Sequence, residues 1–231
     1  MERIYKVQKK NKSKMKCLVV IPARSGSKRL KNKNKKLFLG KPLIEHTIDF
    51  AKKLNITPYI LVSTNDKDIL KIAFKKKILT PWLRPYNISQ DKSSSYSFMI
   101  HSIKWFKKTF GNLDYVILLQ PTTPYRKIST IKKMINIFKK NKNSVAAFAT
   151  KHNINKKVFY IKNKKKIFFK KKEGLQSNIL GSIYINSVKN LVRYKSFVNI
   201  ETIPYLIQNP KEIIDIDTYA DYKIAKKLLK K

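Results

Sequence analysis

Cys17-Leu18-Val19-Val20-Ile21 is a continuous apolar run that ends at Pro22-Ala23-Arg24-Ser25-Gly26-Ser27-Lys28-Arg29, a polar and cationic loop. A strand without polar alternation is buried on both faces, as in a parallel sheet covered by helices. The rest of the chain extends that reading. Ile44, Ile48, Ala51 and Leu54 recur at helical spacing and predict a helix over about 42–54. Tyr59-Ile60-Leu61-Val62-Ser63, Tyr115-Val116-Ile117-Leu118-Leu119 and Val145-Ala146-Ala147-Phe148-Ala149 are three further buried strands. Between them lie helical patterns on Ile69 and Ala73, on Met99, Ile103 and Phe106, and on Ile128, Ile131, Ile135 and Phe138. This alternation predicts an α/β, Rossmann-like fold, a mostly parallel sheet flanked by helices on both faces.

After residue 150 the pattern changes. Val158-Phe159-Tyr160-Ile161 and Ile167-Phe168-Phe169 read as an exposed hairpin, within a β-rich excursion over about 151–185 that suits a dimer surface. Ser182-Ile183-Tyr184-Ile185 and Tyr205-Leu206-Ile207 are expected strands, and Tyr222, Ala225 and Leu229 mark a closing helix. With no internal repeat and no linker, residues 15–231 are expected to form one domain. Residues 1–14 read as a disordered basic tail, with Met15 an alternative start.

No stretch approaches the roughly 20 apolar residues of a membrane helix, and the basic segment 1–16 lacks the apolar stretch of a secretory signal. The single Cys17 excludes an internal disulfide and fits a reducing compartment, so a cytoplasmic location is expected. The net charge is +40, yet only 6 of the 53 basic residues are Arg. Proteins that read bases and phosphates lean on the bidentate guanidinium. Lys here fills solvent positions from end to end, which reads as compositional bias and argues against specific nucleic-acid recognition. An anionic partner and the gathering of polyanionic substrates both stay open.

In open α/β sheets, ligands bind beyond the carboxyl ends of the strands. Segments 22–34, 63–66 and 120–126 fall there. The first offers Arg24, Ser27, Lys28, Arg29, Lys33 and Asn34 around Gly26, a set suited to a polyphosphate, although it is neither of the familiar glycine-rich phosphate loops.

Taken whole, the string Ile21-Pro-Ala-Arg-Ser-Gly-Ser-Lys-Arg-Leu, followed by Lys33-Asn34 and Gly40-Lys41-Pro42-Leu43-Ile44, closely resembles the opening of the acylneuraminate cytidylyltransferase family, the CMP-sialic acid synthetases. Val62-Ser63-Thr64-Asn65-Asp66 resembles that family's Ser-Thr-Asp-Asp turn, with Asn65 a departure. Leu83-Arg84-Pro85, Asp91 and Ser93-Ser94-Ser95 resemble its Arg-Pro and Asp-x-x-x-Ser segment. Leu118-Leu119-Gln120-Pro121-Thr122-Thr123-Pro124-Tyr125-Arg126 is similar to Leu-Gln-Pro-Thr-Ser-Pro-Leu-Arg, and Asp215-Ile216-Asp217-Thr218 to its Asp-Ile-Asp-Thr ending.

The resemblance implies CTP and an acidic 2-keto sugar as substrates, Mg²⁺, a homodimer, and attack of the anomeric hydroxyl on the α-phosphorus with loss of pyrophosphate. It implies that Arg24, Lys28 and Lys33 bind the phosphates with Asn34 beside them, that Ala23 and Ser27 also belong to the nucleotide site, and that Arg84, Ser93 and Ser95 line the cytidine pocket. Gln120, Thr122, Gly181 and Tyr184 would face the sugar. Asp215 and Asp217 would hold the metal and, with Arg24 and Lys28, serve catalysis. Independently, two of only 13 acidic residues stand at i, i+2 in an apolar segment; on a strand they would share one face and one ion.

The acceptor half departs from the pattern. Leu180 stands where the family usually has Asn, and no Arg lies nearby. A pseudaminic, legionaminic or other ulosonic acid is therefore as open as N-acetylneuraminate. A nucleotidyltransferase for another sugar such as Kdo, and a Lys-rich binder of nucleic acid or anionic surfaces, are the competing readings. A binder concentrates its charge on one face and shows a steep salt dependence. His46, His101 and His152 match no metal spacing, and Cys17, Trp82 and Trp105 are expected to pack in the core.

Overall fold

The structure, a computed structural model, describes residues 15–150, 158–162, 166–168 and 175–230. The expected tail, the hairpin turn and His152 lie outside the described residues.

Strand β1 (Cys17–Pro22) is flanked in parallel by β4 (Ile60–Ser63) and β5 (Tyr115–Leu119). The short pair β2 (Leu37–Phe38) and β3 (Lys41–Pro42) forms a separate ribbon. Beyond β5 come β9 (Leu175–Ser187), β6 (Val145–Thr150) and β10 (Ile203–Leu206), giving the order β10-β6-β9-β5-β1-β4. Within that path β9 alone runs antiparallel to its neighbours; β6 and β10 are parallel. The sheet is therefore mostly parallel, as expected, but the third and fourth strands are not neighbours. The four-residue strand read around 182–185 is the end of a 13-residue strand that separates them. β7 (Val158–Lys162) pairs with β8 (Lys166–Phe168) and with β9, so the hairpin extends the sheet.

Alternate residues of β1 feed two cores. Cys17, Val19 and Ile21 face α1 (Leu43–Leu54), α2 (Lys67–Lys75) and α4 (Ile128–Asn141) through Ile48, Ile69 and Phe138. Leu18 and Val20 face α3 (Ser95–Phe110) and α5 (Val188–Tyr194) through Met99, Phe106 and Leu191. All of these side chains are essentially inaccessible to water. Burying one of the larger ones contributes about 1.5–3 kcal/mol, which fixes the sheet beneath the loops. Burial pushes the Cys17 thiol up to about 12, so it is an inert core group. Trp82 packs edge to face against both Trp105 and His101 on the second core.

Helix α6 (Tyr219–Leu229) closes the chain behind a capping box between Thr218 and Asp221. The segment before it corrects one expectation: Asp215 and Asp217 lie not on a strand but in an extended stretch between a 3₁₀ turn (Pro210–Ile213) and α6. The alternation survives because Ile216 is fully buried and its N–H donates to the Thr122 carbonyl (2.8 Å).

Candidate active site

The loop after β1, the segment between α2 and α3 and the loop after β5 line one cleft at the carboxyl edge of the sheet, where ligands bind in such folds; the second of the expected loops, after β4, does not line it. Its walls include Arg24, Ser27, Lys33 and Asn34 from the first loop. Arg84, Ser93, Ser95 and Phe98 form the second wall, and Gln120 and Thr122 the third.

The first loop is held by the second. Asn65 accepts from the Ser25 N–H (2.8 Å) and donates to the Ser25 hydroxyl (2.8 Å). An amide can do both; an ionised carboxylate only accepts, so Asn65 suits this loop chemically. Thr64 donates to the Ala23 carbonyl (2.6 Å), and the buried Asn34 amide donates to the Arg24 carbonyl (3.2 Å). Ala23 is itself buried, so its contribution lies in its backbone. Gly26 takes φ +74°, a left-handed turn that favours glycine.

The cations of this loop meet two carboxylates. Arg24 and Lys28 reach the two oxygens of Asp91 at 2.6 and 2.8 Å. Arg29 and Lys33 reach those of Asp217 at 2.9 and 2.8 Å. Four cations on two carboxylates leave an excess of two positive charges at the rim. Such a rim draws polyanions. Lys28 is mostly exposed and, unlike Arg24 and Lys33, does not line the cleft.

Arg84 is of another kind. It is buried, stacks over Phe98 at 5.3 Å, and bonds the Ser89 hydroxyl through Nε (3.1 Å). One terminal nitrogen has no partner. Burial, aided by repulsion from Arg24, lowers its pKa to about 10, which leaves it charged at neutral pH. A flat ring beside Phe98 with hydrogen-bond acceptors on its edge suits this corner.

The third wall rests on Arg126, which is buried. It donates to the carbonyls of Gln120 and Ser182 and to the Thr47 hydroxyl. Burial lowers its pKa to about 9, opposed by the charges of Asp215 and Glu212. Glu212 is also buried and accepts from the Lys127 N–H at the start of α4 (2.8 Å). The sequence flagged Arg126 only as the end of a motif, while Phe98 and Glu212 carried no signal beyond apolar spacing and an isolated acid.

The structure does not bring all the expected residues together. Gly181 and Tyr184 are absent from the cleft lining; they sit on an irregular stretch of β9 facing β6. Tyr184 packs against Phe197, and burial raises its phenol pKa. Leu180 packs on the first core. Asp217 touches the rim through Lys33 and Arg29, and Asp215 lies on the Arg126 and Tyr184 side. Among the described residues no three acids, histidines or cysteines gather as metal ligands. A site of one or two carboxylates completed by substrate phosphates and water is nevertheless normal for Mg²⁺, so Asp215 and Asp217 fit that ion.

Known proteins resemble this chain in sequence and fold. A CMP-N,N'-diacetyllegionaminic acid synthase of Legionella pneumophila is 37% identical over 224 residues, covering 93% of this chain and 97% of its own length. A pseudaminic acid cytidylyltransferase of Campylobacter jejuni is 27% identical, covering 94% and 97%. The solved structure of a CMP:2-keto-3-deoxy-manno-octonic acid synthetase complexed with CTP superposes with a TM-score of 0.70 at 17% identity, over 93% of this chain and 98% of that one, a likeness of fold. The sequence pattern of the cytidylyltransferases matches residues 18–230, from the first buried strand to the last helix, and the chain belongs to that family.

Proposed function

We propose that the protein transfers CMP from CTP to the anomeric hydroxyl of an acidic 2-keto sugar of the nonulosonate class, releasing pyrophosphate and yielding a CMP-activated sugar for surface glycan synthesis. The carrying observation is the cleft itself, with a rim of excess positive charge on one wall and the buried Arg84–Phe98 corner on another. Arg24, Lys28 and Lys33 bind the β- and γ-phosphates, and Ser27 and Asn34 close the loop around them. Lys28 counters the charge that develops on the departing pyrophosphate. Arg84, Ser93 and Ser95 hold the cytidine. Gln120 and Thr122 face the acceptor, with Gly181 and Tyr184 shaping the strand behind them.

Asp215 and Asp217 hold Mg²⁺ in this reading, with Asp217 exchanging its contacts to Lys33 and Arg29. Held there, Mg²⁺ would supply positive charge to offset that of the triphosphate. The nonulosonate assignment follows the names of the relatives at 37% and 27% identity. The excursion that carries the β7–β8 hairpin serves as the surface of a homodimer, and the protein works in the cytoplasm; no described helix is long and apolar enough to cross a membrane.

The decisive experiment incubates the protein with each NTP, Mg²⁺ and a panel of ulosonic acids that includes legionaminic, pseudaminic, N-acetylneuraminic and Kdo forms. Mass spectrometry of a CMP-nonulosonate with CTP alone is the expected result. Product only with Kdo, or none with any acid, overturns the assignment.

A further inference from the structure

Asp91 has no place in the transfer chemistry, yet it occupies a central position. It lies in the loop between the 3₁₀ turn Tyr86–Ile88 and α3, the loop that also gives Gln90 and Ser93 to the cleft. Its two oxygens each take one cation from the loop after β1, Arg24 Nη2 at 2.6 Å and Lys28 Nζ at 2.8 Å. The loop is pinned by side-chain bonds: Ser93 Oγ accepts from the Gln90 N–H (3.0 Å) and donates to the Asn87 carbonyl (3.2 Å). Asp91 thus ties this loop to the first one and sets a carboxylate on the cations that the preceding reading gives to phosphate.

We propose that Asp91 is a specificity-determining residue, an internal anion that a ligand's di- or triphosphate must displace from Arg24 and Lys28. The inference rests on that reading of the rim. Two cations held by one carboxylate are neutralised by half, and a pyrophosphate group brings more charge and more acceptor oxygens than the carboxylate it replaces. Only ligands that reach both cations meet this competition. CTP and pyrophosphate do so; CMP and a CMP-sugar, which lack β- and γ-phosphates, leave the two ion pairs standing. The carboxylate therefore weakens retention of the pyrophosphate product and returns to the cations as it departs. Both pairs are solvent-exposed, so the competition is modest in size.

Isothermal calorimetry on the full chain tests this with three ligands: inorganic pyrophosphate without added metal, CTP and CMP. Asp91→Asn is expected to tighten pyrophosphate and CTP by roughly 3- to 10-fold and to leave CMP within about twofold. Asp91→Glu, which keeps the charge, is expected to bind all three as the natural protein does. Unchanged or weakened pyrophosphate binding in Asp91→Asn overturns the inference, because the carboxylate then supports the cations instead of competing for them. Equal tightening of CMP overturns it too, as a general charge effect, and so does tightening by Asp91→Glu. Lys28→Ala separates the two levels. If pyrophosphate binds that variant as well as the natural protein, the phosphate rim is misassigned; if binding falls while Asp91→Asn shows no gain, only the role of Asp91 fails.

Discussion

The two sides of the cleft are built on different principles. On the nucleotide side, loops are tied by polar side chains to one another's backbone: Thr64 to Ala23, Asn65 to Ser25, Asn34 to Arg24. On the side proposed for the acceptor, Gln120 and Thr122 form the wall, and the buried Arg126 gathers the carbonyls of Gln120 and of Ser182 on β9. Leu180 and Tyr184 there belong to apolar clusters. The first side presents charge and can be altered residue by residue. The second presents shape, so a substitution there acts through the packing.

The most damaging change expected is at the junction of the two sides. Asp215→Asn and Asp217→Asn keep volume but remove the charge a hard cation prefers, and each should cut turnover on the order of 10³-fold. Each should also raise the Mg²⁺ concentration for half-maximal rate while the melting temperature holds. Normal activity with an unchanged Mg²⁺ titration in both would reduce the pair to structural acids.

Next in size, Lys28→Ala should cost about 10²-fold in turnover. Lys226→Ala, on the exposed part of α6, is the comparison, and equal behaviour of the two would dissolve the charged side as a functional unit. Leu180→Asn puts an amide against the first core and should cost about 1–3 kcal/mol of stability, read by urea unfolding, with KM for CTP unchanged. A CTP KM that rises in step with the lost stability would mean the two sides are one. The smallest effect belongs to Asn65→Asp, which removes the donor to the Ser25 hydroxyl and should raise KM for CTP about threefold. A loss as large as that of Lys28→Ala would show that the whole loop depends on this one amide.

The same division explains what could be read from the sequence. Periodicity located β1, β4, β5, β6 and the helices α1, α2, α3, α4 and α6, because each buries an apolar face, but not the short α5. Arg24, Lys33, Asn34, Arg84 and Gln120 stand in short motifs after strands, and the structure brings them to one cleft. The place of β9 was not legible: its stretch 175–178, Leu-Gln-Ser-Asn, looks like loop, and nothing local says that a strand so late in the chain lies between two earlier ones. Asp215 and Asp217 were placed on a strand because alternation was read as β pairing. The alternation is real, but the buried Ile216 bonds to the Thr122 loop instead of a ladder. Arg126 was underestimated for a related reason: its partners are backbone carbonyls and a hydroxyl, which leave no charge pattern in the sequence.

The position of β9 also governs how the chain can assemble as it leaves the ribosome. β5 and β6 are complete by residue 150, yet they do not pair with each other, and the strand that joins them begins at Leu175. The other neighbour of β6, β10, emerges later still. A nascent chain halted in that interval carries two apolar strands with open edges, Tyr115–Leu119 on one side and Val145–Thr150 with none of its neighbours yet made. Open apolar edges invite pairing with other chains. The half of the sheet synthesised first therefore depends on the half synthesised last, and a truncated product ending before β9 is the form of this protein most exposed to aggregation and to capture by chaperones.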